Sequence, residues 1–140
     1  MPTFPSAEWF TAFIEEINAS KDYAAAAATW EGDVVLVVGA EPDKGVPQDV
    51  HLLLDLWHGA CRGGGVVDAD RGRRAEFLVT APFSRWRDVI TGDLEPVKGL
   101  MQGKLKVRGD LQKILRYVKA TQELARLTRN VETTYPSGVG

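Results

Sequence analysis

The chain contains a single cysteine, Cys61, among its 140 residues. One thiol cannot close an internal disulfide, which excludes the disulfide-stapled secreted class and favours a reducing, cytoplasmic compartment. No apolar run approaches the roughly 20 residues that cross a bilayer. The N-terminus has no basic segment followed by an apolar one, and the C-terminus has no Ser-Lys-Leu peroxisomal address. We therefore expect one domain in the cytoplasm.

Histidine is almost as scarce as cysteine, which argues against a metal site. His51 and His58 are the two histidines, and they stand seven residues apart on one predicted strand. An odd separation sends side chains to opposite faces of a strand, so the two imidazoles cannot hold one ion. No Cys-x-x-Cys or His-x-x-x-His spacing occurs. The sequence predicts no metal ion and no cofactor.

Recognisable catalytic motifs are also missing. His58 and Cys61 are close in sequence, but no third residue is evident to orient the imidazole. The glycine run Arg62–Gly65 is followed by the strand-like or irregular Val66–Asp68 rather than by a helix, so we interpret it as a hairpin connection and not as a phosphate loop. Of the functional hypotheses that the sequence leaves open, the least favoured is an enzyme that acts on a hydrophobic substrate through His58, Cys61 or Asp55.

Positive charge is rare in the first part of the chain and concentrated in the last part. Residues 1–61 carry ten acidic and two basic side chains, whereas residues 98–140 carry three acidic and nine basic ones. No basic stripe is interleaved with stacking aromatics, which argues against nucleic-acid binding. The basic third could contact anionic lipid headgroups, or the two regions could simply attract each other and solvate the fold.

The periodicity of apolar residues predicts helices at both ends of the chain and strands between them. Ser6 is a good cap for a first helix, and its stripe of Trp9, Phe10, Phe13, Ile14 and Ile17 suits core packing or a lid over something apolar. The predicted strands are Asp33–Val38, Val50–His58, Arg74–Ala81 and Lys104–Arg108, with a short extra one at Val66–Asp68. The predicted fold class is α+β with a mainly antiparallel sheet.

The most informative segment is Gly99–Asp110, which reads Gly-Leu-Met-Gln-Gly-Lys-Leu-Lys-Val-Arg-Gly-Asp. Its start predicts the end of a short helix, and Lys104–Arg108 alternates as a strand does. Gly109 ends that strand, and Asp110 is a good N-cap for the apolar-periodic Leu111–Val118. One short segment thus predicts a helix end, a strand and a helix start.

This segment resembles the signature of the sterol carrier protein 2 (SCP2) lipid-transfer domain, in which a helix reaches a M-x-G-K-L-K-V-x-G-D strand. The resemblance implies a five-stranded sheet with helices packed on one face, enclosing an apolar tunnel. We expect the domain to span residues 1–131, with a flexible C-terminal tail over residues 132–140. The implied function is non-enzymatic binding, and transfer, of a fatty acyl, sterol-like or isoprenoid chain.

Large apolar side chains on short amphipathic elements are the candidate ligand contacts. By pattern alone they describe a compact core as well as a cavity, and only the resemblance favours the cavity. Leu105 and Val107 would form part of the wall, and Leu111–Val118 would act as a movable cover. The full candidate set is Trp57, Phe77, Phe83, Trp86, Ile90, Leu100, Met101, Leu105, Val107, Leu111, Ile114 and Leu115.

The expected partners follow from the same resemblance and from the charge of the chain. The resemblance implies a lipid or fatty-acid ligand. Transient contact with a membrane surface is expected from the basic side chains of the last part of the chain, including Lys104, Lys106 and Arg108. We expect a monomer or a homodimer. The acidic and basic regions of the chain keep one alternative open, an accessory protein that docks a lipid-pathway enzyme or a second copy of itself.

Overall fold

The structure, a computed structural model, describes residues 1–136. Its helices are α1 (Ala7–Ala19), α2 (Lys21–Ala26), α3 (Ala69–Arg73), α4 (Phe83–Thr91), α5 (Pro96–Met101), α6 (Leu111–Leu115) and α7 (Val118–Thr128). Its strands are β1 (Glu31–Gly39), β2 (Val50–Trp57), β3 (Ala60–Val67), β4 (Phe77–Pro82) and β5 (Lys106–Arg108), and a 3-10 turn lies at Pro42–Lys44. Within residues 1–136, no helix is long and apolar enough to cross a membrane.

The strands form one five-stranded sheet in the order β3-β2-β1-β4-β5. Strand β1 is central and pairs antiparallel with β2 and parallel with β4. The remaining pairs, β2 with β3 and β4 with β5, are antiparallel. The predicted α+β class with a mainly antiparallel five-stranded sheet is therefore confirmed.

Helix α1 begins where the sequence predicts. The Ser6 side chain accepts a hydrogen bond from the Trp9 amide, which satisfies one of the free N–H groups of the first turn. The apolar stripe of α1 is buried against the sheet and the other helices, with Trp9, Phe10, Phe13 and Ile17 each at most 2% exposed. Residues spaced at three and four positions share this face because a helix has 3.6 residues per turn.

The interpretation of Arg62–Gly65 as a hairpin connection is wrong, because these residues lie inside strand β3. Gly64 pairs with Leu54, and Gly65 pairs with Leu53. A β-carbon on Gly64 would lie 2.0 Å from the Leu53 carbonyl oxygen and 3.4 Å from Ile14 Cδ1. Glycine is needed here because the two strands and α1 approach too closely for a side chain. The connection between β2 and β3 is the turn at His58 and Gly59, both at positive φ.

Most helices cover one face of the sheet, and one short helix covers the other. Gly72 of α3 lies close to Val35 and Leu78, so this single-turn helix packs on the face that Val35 and Val37 share. The opposite face carries Leu52, Leu54 and Leu56 of β2, which are buried at 1–2% exposure as their alternation predicts.

The C-terminal helical region is divided, and the chain end returns to the N-terminus. Helix α6 ends at Leu115, α7 begins at Val118, and Tyr117 lies between them. The tail prediction starts at residue 132, yet Thr134 makes backbone hydrogen bonds with Phe4 and Pro2, both at 3.0 Å. The last four residues of the predicted tail, 137–140, lie outside the described part of the chain.

Candidate functional site

An apolar cavity of about 150 Å³ lies between the sheet and the helices that cover it. Its floor is formed by alternate side chains of the sheet, namely Val34, Leu36, Val38, Leu52, Leu54, Leu56 and Val79. Helices α1 and α7 and the residue before α7 contribute most of the roof, with Trp9, Phe10, Phe13, Tyr117, Ala120, Thr121, Leu124, Ala125 and Thr128. The cavity lies between the sheet and the helices, which is where the resemblance implies a tunnel.

The sheet side of the cavity follows from strand alternation. Leu52 pairs with Leu36 and Leu54 pairs with Val34, so all four side chains point to one face. Val34 and Leu36 belong to the central strand β1, which has β2 on one side and β4 on the other, yet both residues remain partly exposed. Because both line the cavity, we assign that exposure to the open space above them.

The signature segment forms another part of the wall. Gly99 of α5 faces Leu105, and a β-carbon on Gly99 would lie 3.0 Å from Leu105 Cγ. The amides of Lys104 and Leu105 both donate to the Gly99 carbonyl oxygen, which folds the chain back toward the cavity. Asp110 then caps α6 by accepting from the Gln112 and Lys113 amides.

Five of the twelve sequence-predicted site residues line the cavity. They are Trp86 and Ile90 on α4, Leu100 on α5, Leu105 before β5, and Ile114 on α6. All five are at most 8% exposed. The structure therefore brings together residues from three helices and the signature strand region.

The other seven predicted residues lie elsewhere. Phe77 and Phe83 are fully buried, but they pack in the core without lining the cavity. Val107, Leu111 and Leu115 are half-buried and do not line the cavity. Trp57 and Met101 are exposed at 37% and 69%. Trp57 stacks on His58 and receives the Arg62 guanidinium over its ring, so it belongs to a surface cluster.

Sequence reasoning missed the floor and much of the roof of the cavity. The sequence predicts core packing or a lid for the stripe of α1, and three of its aromatic side chains line the cavity. The alternation of β2 identified the correct face, but no sequence signal separates a packed face from a face over open space. Tyr117 to Thr128 carries a clear helical stripe, Ala120, Leu124, Ala125 and Thr128, that could have been included.

The polar atoms of the cavity wall are mostly bonded to the protein itself. The Trp86 indole donates to the Val37 carbonyl at 2.8 Å, and the Trp30 indole donates to the Gly32 carbonyl at 2.8 Å. The Thr121 and Thr128 hydroxyls donate to backbone carbonyls of their own helix. Among the described residues, no charged side chain lines the cavity. The space therefore suits an apolar molecule and not water or ions.

The residues considered for catalysis are engaged outside the cavity. His58 bonds with Glu31, and Asp55 forms an ion pair with Arg62. The Cys61 thiol donates to the Gly63 carbonyl at 3.1 Å, and burial raises the pKa of Cys61, which disfavours the reactive thiolate. Within residues 1–136, no group of three metal-ligating side chains is close enough to hold an ion.

Solved structures similar to this chain share its fold closely. A crystal structure of sterol carrier protein 2 has 38% sequence identity and a TM-score of 0.83, and the match covers 91% of this chain and 98% of that one. The solution structure of a conserved hypothetical protein from Thermus thermophilus has 38% identity and a TM-score of 0.81, with coverage of 92% of this chain and 90% of that one.

A more distant structure agrees in fold alone. The apo form of sterol carrier protein 2 from Yarrowia lipolytica has 18% identity and a TM-score of 0.59, with coverage of 93% of this chain and 96% of that one. No curated protein is significantly similar to the chain in sequence. The SCP-2 sterol transfer family matches residues 10–122, most of the chain. The chain belongs to the SCP-2 sterol transfer family.

Proposed function

We propose that this chain is a non-enzymatic lipid carrier that holds one long apolar chain in its internal cavity. The observation that carries the proposal is the cavity wall, which is lined by aromatic and aliphatic side chains and by no charged group of the described residues. Burial of an acyl or isoprenoid chain contributes about 0.8 kcal/mol per methylene group. Such burial supplies affinity without any covalent step.

The cavity must widen to accept a long chain. An apolar cavity of about 150 Å³ holds a molecule of the size of benzene. We propose that the last helices, α6 and α7, move outward to admit the ligand. Helix α7 packs mainly against other helices, namely α1, α2, α4, α5 and α6, so its movement breaks no hydrogen bonds of the sheet.

Binding is tested first with a fluorescent fatty-acid analogue and with native mass spectrometry of protein purified from cells. We expect a lipid adduct on the purified protein and saturable binding of the analogue. A protein that carries no adduct and binds no analogue contradicts the proposal.

A matched pair of variants then locates the binding site. Leu36→Phe fills space in the cavity, whereas Leu53→Phe adds the same ring type on the opposite face of the sheet, beside Val35 and Val37. We expect Leu36→Phe to lower the affinity for the analogue at least tenfold and Leu53→Phe to leave it within about twofold, since each 1.4 kcal/mol of lost contact is tenfold. Equal effects of the two variants would place the ligand elsewhere.

We also propose that α6 and α7 face an anionic membrane when lipid is exchanged. Arg116 and Lys119 are both exposed on this segment. Basic side chains near an anionic surface contribute about 1 kcal/mol each to attraction. This arrangement brings the movable part of the protein to the source of the lipid.

Charge reversal tests the membrane orientation. Arg116→Glu with Lys119→Glu is compared with Arg73→Glu and Arg74→Glu, an equal charge change on exposed residues of α3 or its C-terminal cap, on the opposite face. With vesicles of mixed phosphatidylserine and phosphatidylcholine, we expect the first pair to slow lipid transfer at least fivefold and the second to change it little. Equal slowing by both pairs indicates a net-charge effect and no preferred orientation.

A further inference from the structure

Residues 2–4 are joined to the segment that follows α7 by a small set of hydrogen bonds. The Phe4 amide donates to the Thr134 carbonyl, and the Thr134 amide donates to the Pro2 carbonyl, each at 3.0 Å. The hydroxyls of Thr3 and Thr134 are bonded to each other at 2.8 Å. We call residues 2–4 and Thr134 the clasp. Both of its segments lie outside the helices and the five-stranded sheet.

Phe4 is the member of the clasp whose side chain lies in the interior. It is 4% exposed and lines the cavity. The centroid of its ring lies 4.8 Å from that of Trp9, in the first turn of α1, and 5.9 Å from that of Phe83, the first residue of α4. The Phe4 ring therefore fills the space beside the N-terminal ends of these two helices, and it borders the cavity there.

The backbone that carries Phe4 is held by fewer interactions than the sheet and α1 are. The hydroxyl pair of the clasp is exposed to solvent, and segments with few, solvent-exposed hydrogen bonds open at the lowest free energy. The Thr133 hydroxyl accepts from the Trp9 indole at 2.8 Å, so the segment after α7 stays attached to α1 when residues 2–4 move away. Withdrawal of Phe4 thus breaks no hydrogen bond of the sheet or of a helix.

A long lipid chain needs the space that the Phe4 ring fills. The cavity of about 150 Å³ holds a molecule of the size of benzene. The ring of a phenylalanine is itself of that size, so its withdrawal adds a comparable space. That space is continuous with the cavity, because Phe4 lines it. The ring loses its contacts with Trp9 and Phe83 when it leaves, and an apolar chain in its place restores contacts of the same kind.

We propose that the Phe4 ring occupies part of the lipid site, and that the clasp holds it there until a long chain enters and displaces it. This inference rests on the proposed lipid-carrier function and adds a second movable element to α6 and α7. A ligand of the size of benzene fits while the clasp is closed, whereas a long chain requires the clasp to open. The size of the ligand therefore decides whether the clasp matters.

A reversible crosslink tests whether the clasp must open. Thr3→Cys with Thr134→Cys places two thiols where the hydroxyls lie 2.8 Å apart, and Cys61 is buried, so it does not compete for the new thiols. Binding of benzene and of a fluorescent palmitate analogue is measured before and after reduction. We expect the oxidised protein to bind the analogue about tenfold more weakly than the reduced protein, while the affinity for benzene stays within about twofold.

A further substitution in the crosslinked protein identifies the obstacle. Phe4→Ala removes the ring while the clasp stays closed, and we expect it to restore the affinity for the palmitate analogue to within about threefold of the reduced protein. Tyr135→Ala is the matched control, because Tyr135 packs against Phe83 and does not line the cavity. It should leave the crosslinked protein as weak as before. Urea unfolding checks that each variant is folded, and Phe4→Leu replaces Phe4→Ala if the smaller side chain prevents folding.

The outcomes separate the role of Phe4 from the lipid-carrier function. If the unmodified and reduced proteins both fail to bind the palmitate analogue, the carrier function fails. If the oxidised and reduced proteins bind the analogue equally well, the carrier function stands and the clasp has no role in binding. If the crosslink weakens binding and removal of the Phe4 ring does not restore it, the carrier function also stands and Phe4 is rejected as the obstacle.

Discussion

Val34 and Leu36 on one face of strand β1 remain partly exposed, whereas Val35 and Val37 on the other face are buried at 0% and 4% exposure. The residue types on the two faces are nearly the same, and they alternate along one strand. The difference lies in what covers them. The first pair faces the cavity below helices α1 and α7, and the second pair faces the short helix α3.

The face covered by α3 is closed by close packing and by polar links at its rim. A β-carbon on Gly72 would lie 3.1 Å from His51 Cδ2 and 3.4 Å from Val35 Cγ1, so the helix sits directly on the strand. Arg71 pairs with Asp33 at 2.8 Å, and Arg108 donates to the Ala75 carbonyl at 2.9 Å.

The two faces of the sheet therefore have different roles. On the α3 face, Val35, Val37 and Ala75 are buried at 0–4% exposure, and helix α3 lies directly on Val35. The cavity face leaves contacts unmade, and each missing contact is available to a ligand. We expect changes of volume to be resisted on the α3 face and tolerated on the cavity face.

Overpacking should give the largest contrast between the faces. Val35→Phe adds a ring where no space remains, and we expect it to lower the free energy of unfolding by about 3 kcal/mol. Leu36→Phe places a ring into the cavity, and we expect a loss below about 1 kcal/mol. Urea unfolding of both variants measures the difference. Similar losses in the two variants would mean that the faces do not differ in packing.

The polar link at the rim of the α3 face should have an intermediate effect. Arg108→Met removes the hydrogen bonds to the Ala75 and Gly72 carbonyls, and we expect a loss of about 1 kcal/mol in the free energy of unfolding. Lys106→Met, on an exposed neighbour in the same strand, is the control and should cost less than about 0.5 kcal/mol. Lipid affinity should stay constant in both. A change of affinity in Arg108→Met would show that the two faces are coupled.

Sequence reasoning recovered the features that depend on local pattern. The alternation of β2 placed Leu52, Leu54 and Leu56 on one face. The turn and capping residues of Gly99–Asp110 predicted the end of α5, the position of β5 and the start of α6 to within two residues. The same alternation places Trp57 on the other face from Leu56, so the prediction of Trp57 as a ligand contact conflicts with the strand period.

The features that escaped prediction depend on three-dimensional packing. The sequence of a stripe such as Trp9, Phe10 and Phe13 is the same whether the stripe packs against other side chains or borders a cavity. A cavity forms only where the surrounding side chains together fail to fill the interior, and no single stripe determines that. Glycine-rich Arg62–Gly65 has the composition of a loop, and only the close approach of Leu53 explains why a strand needs it. The cavity is predicted only by the resemblance to the SCP2 family, because the pattern of apolar residues describes a packed core equally well.

Acid should produce the smallest difference between the faces. Asp33 lies on the α3 face, and burial alone would raise its pKa, but hydrogen bonds from the Glu76 amide and Arg71 outweigh burial and lower it. A lowered pKa in the folded state stabilises the protein above about pH 4, the pKa of an unfolded Asp, and this stability is lost as the pH falls through the folded value. At about pH 7, we expect Asp33→Asn to cost less than about 1 kcal/mol, since the pair is partly solvated.

At about pH 3, the cost of Asp33→Asn should be smaller than at about pH 7, because the unfolded Asp33 carboxyl then binds a proton that the lowered pKa of the folded state resists. Urea unfolding of both proteins at the two pH values measures this change. Glu41 and Glu123 also have lowered pKa values, so the unmodified protein and the variant share the remaining acid sensitivity, and only their difference reports on Asp33. The affinity for a neutral lipid should not follow that difference, because Asp33 does not line the cavity. A lipid affinity that falls in parallel with the Asp33 contribution would show that the α3 face governs the cavity face and that the two are not independent.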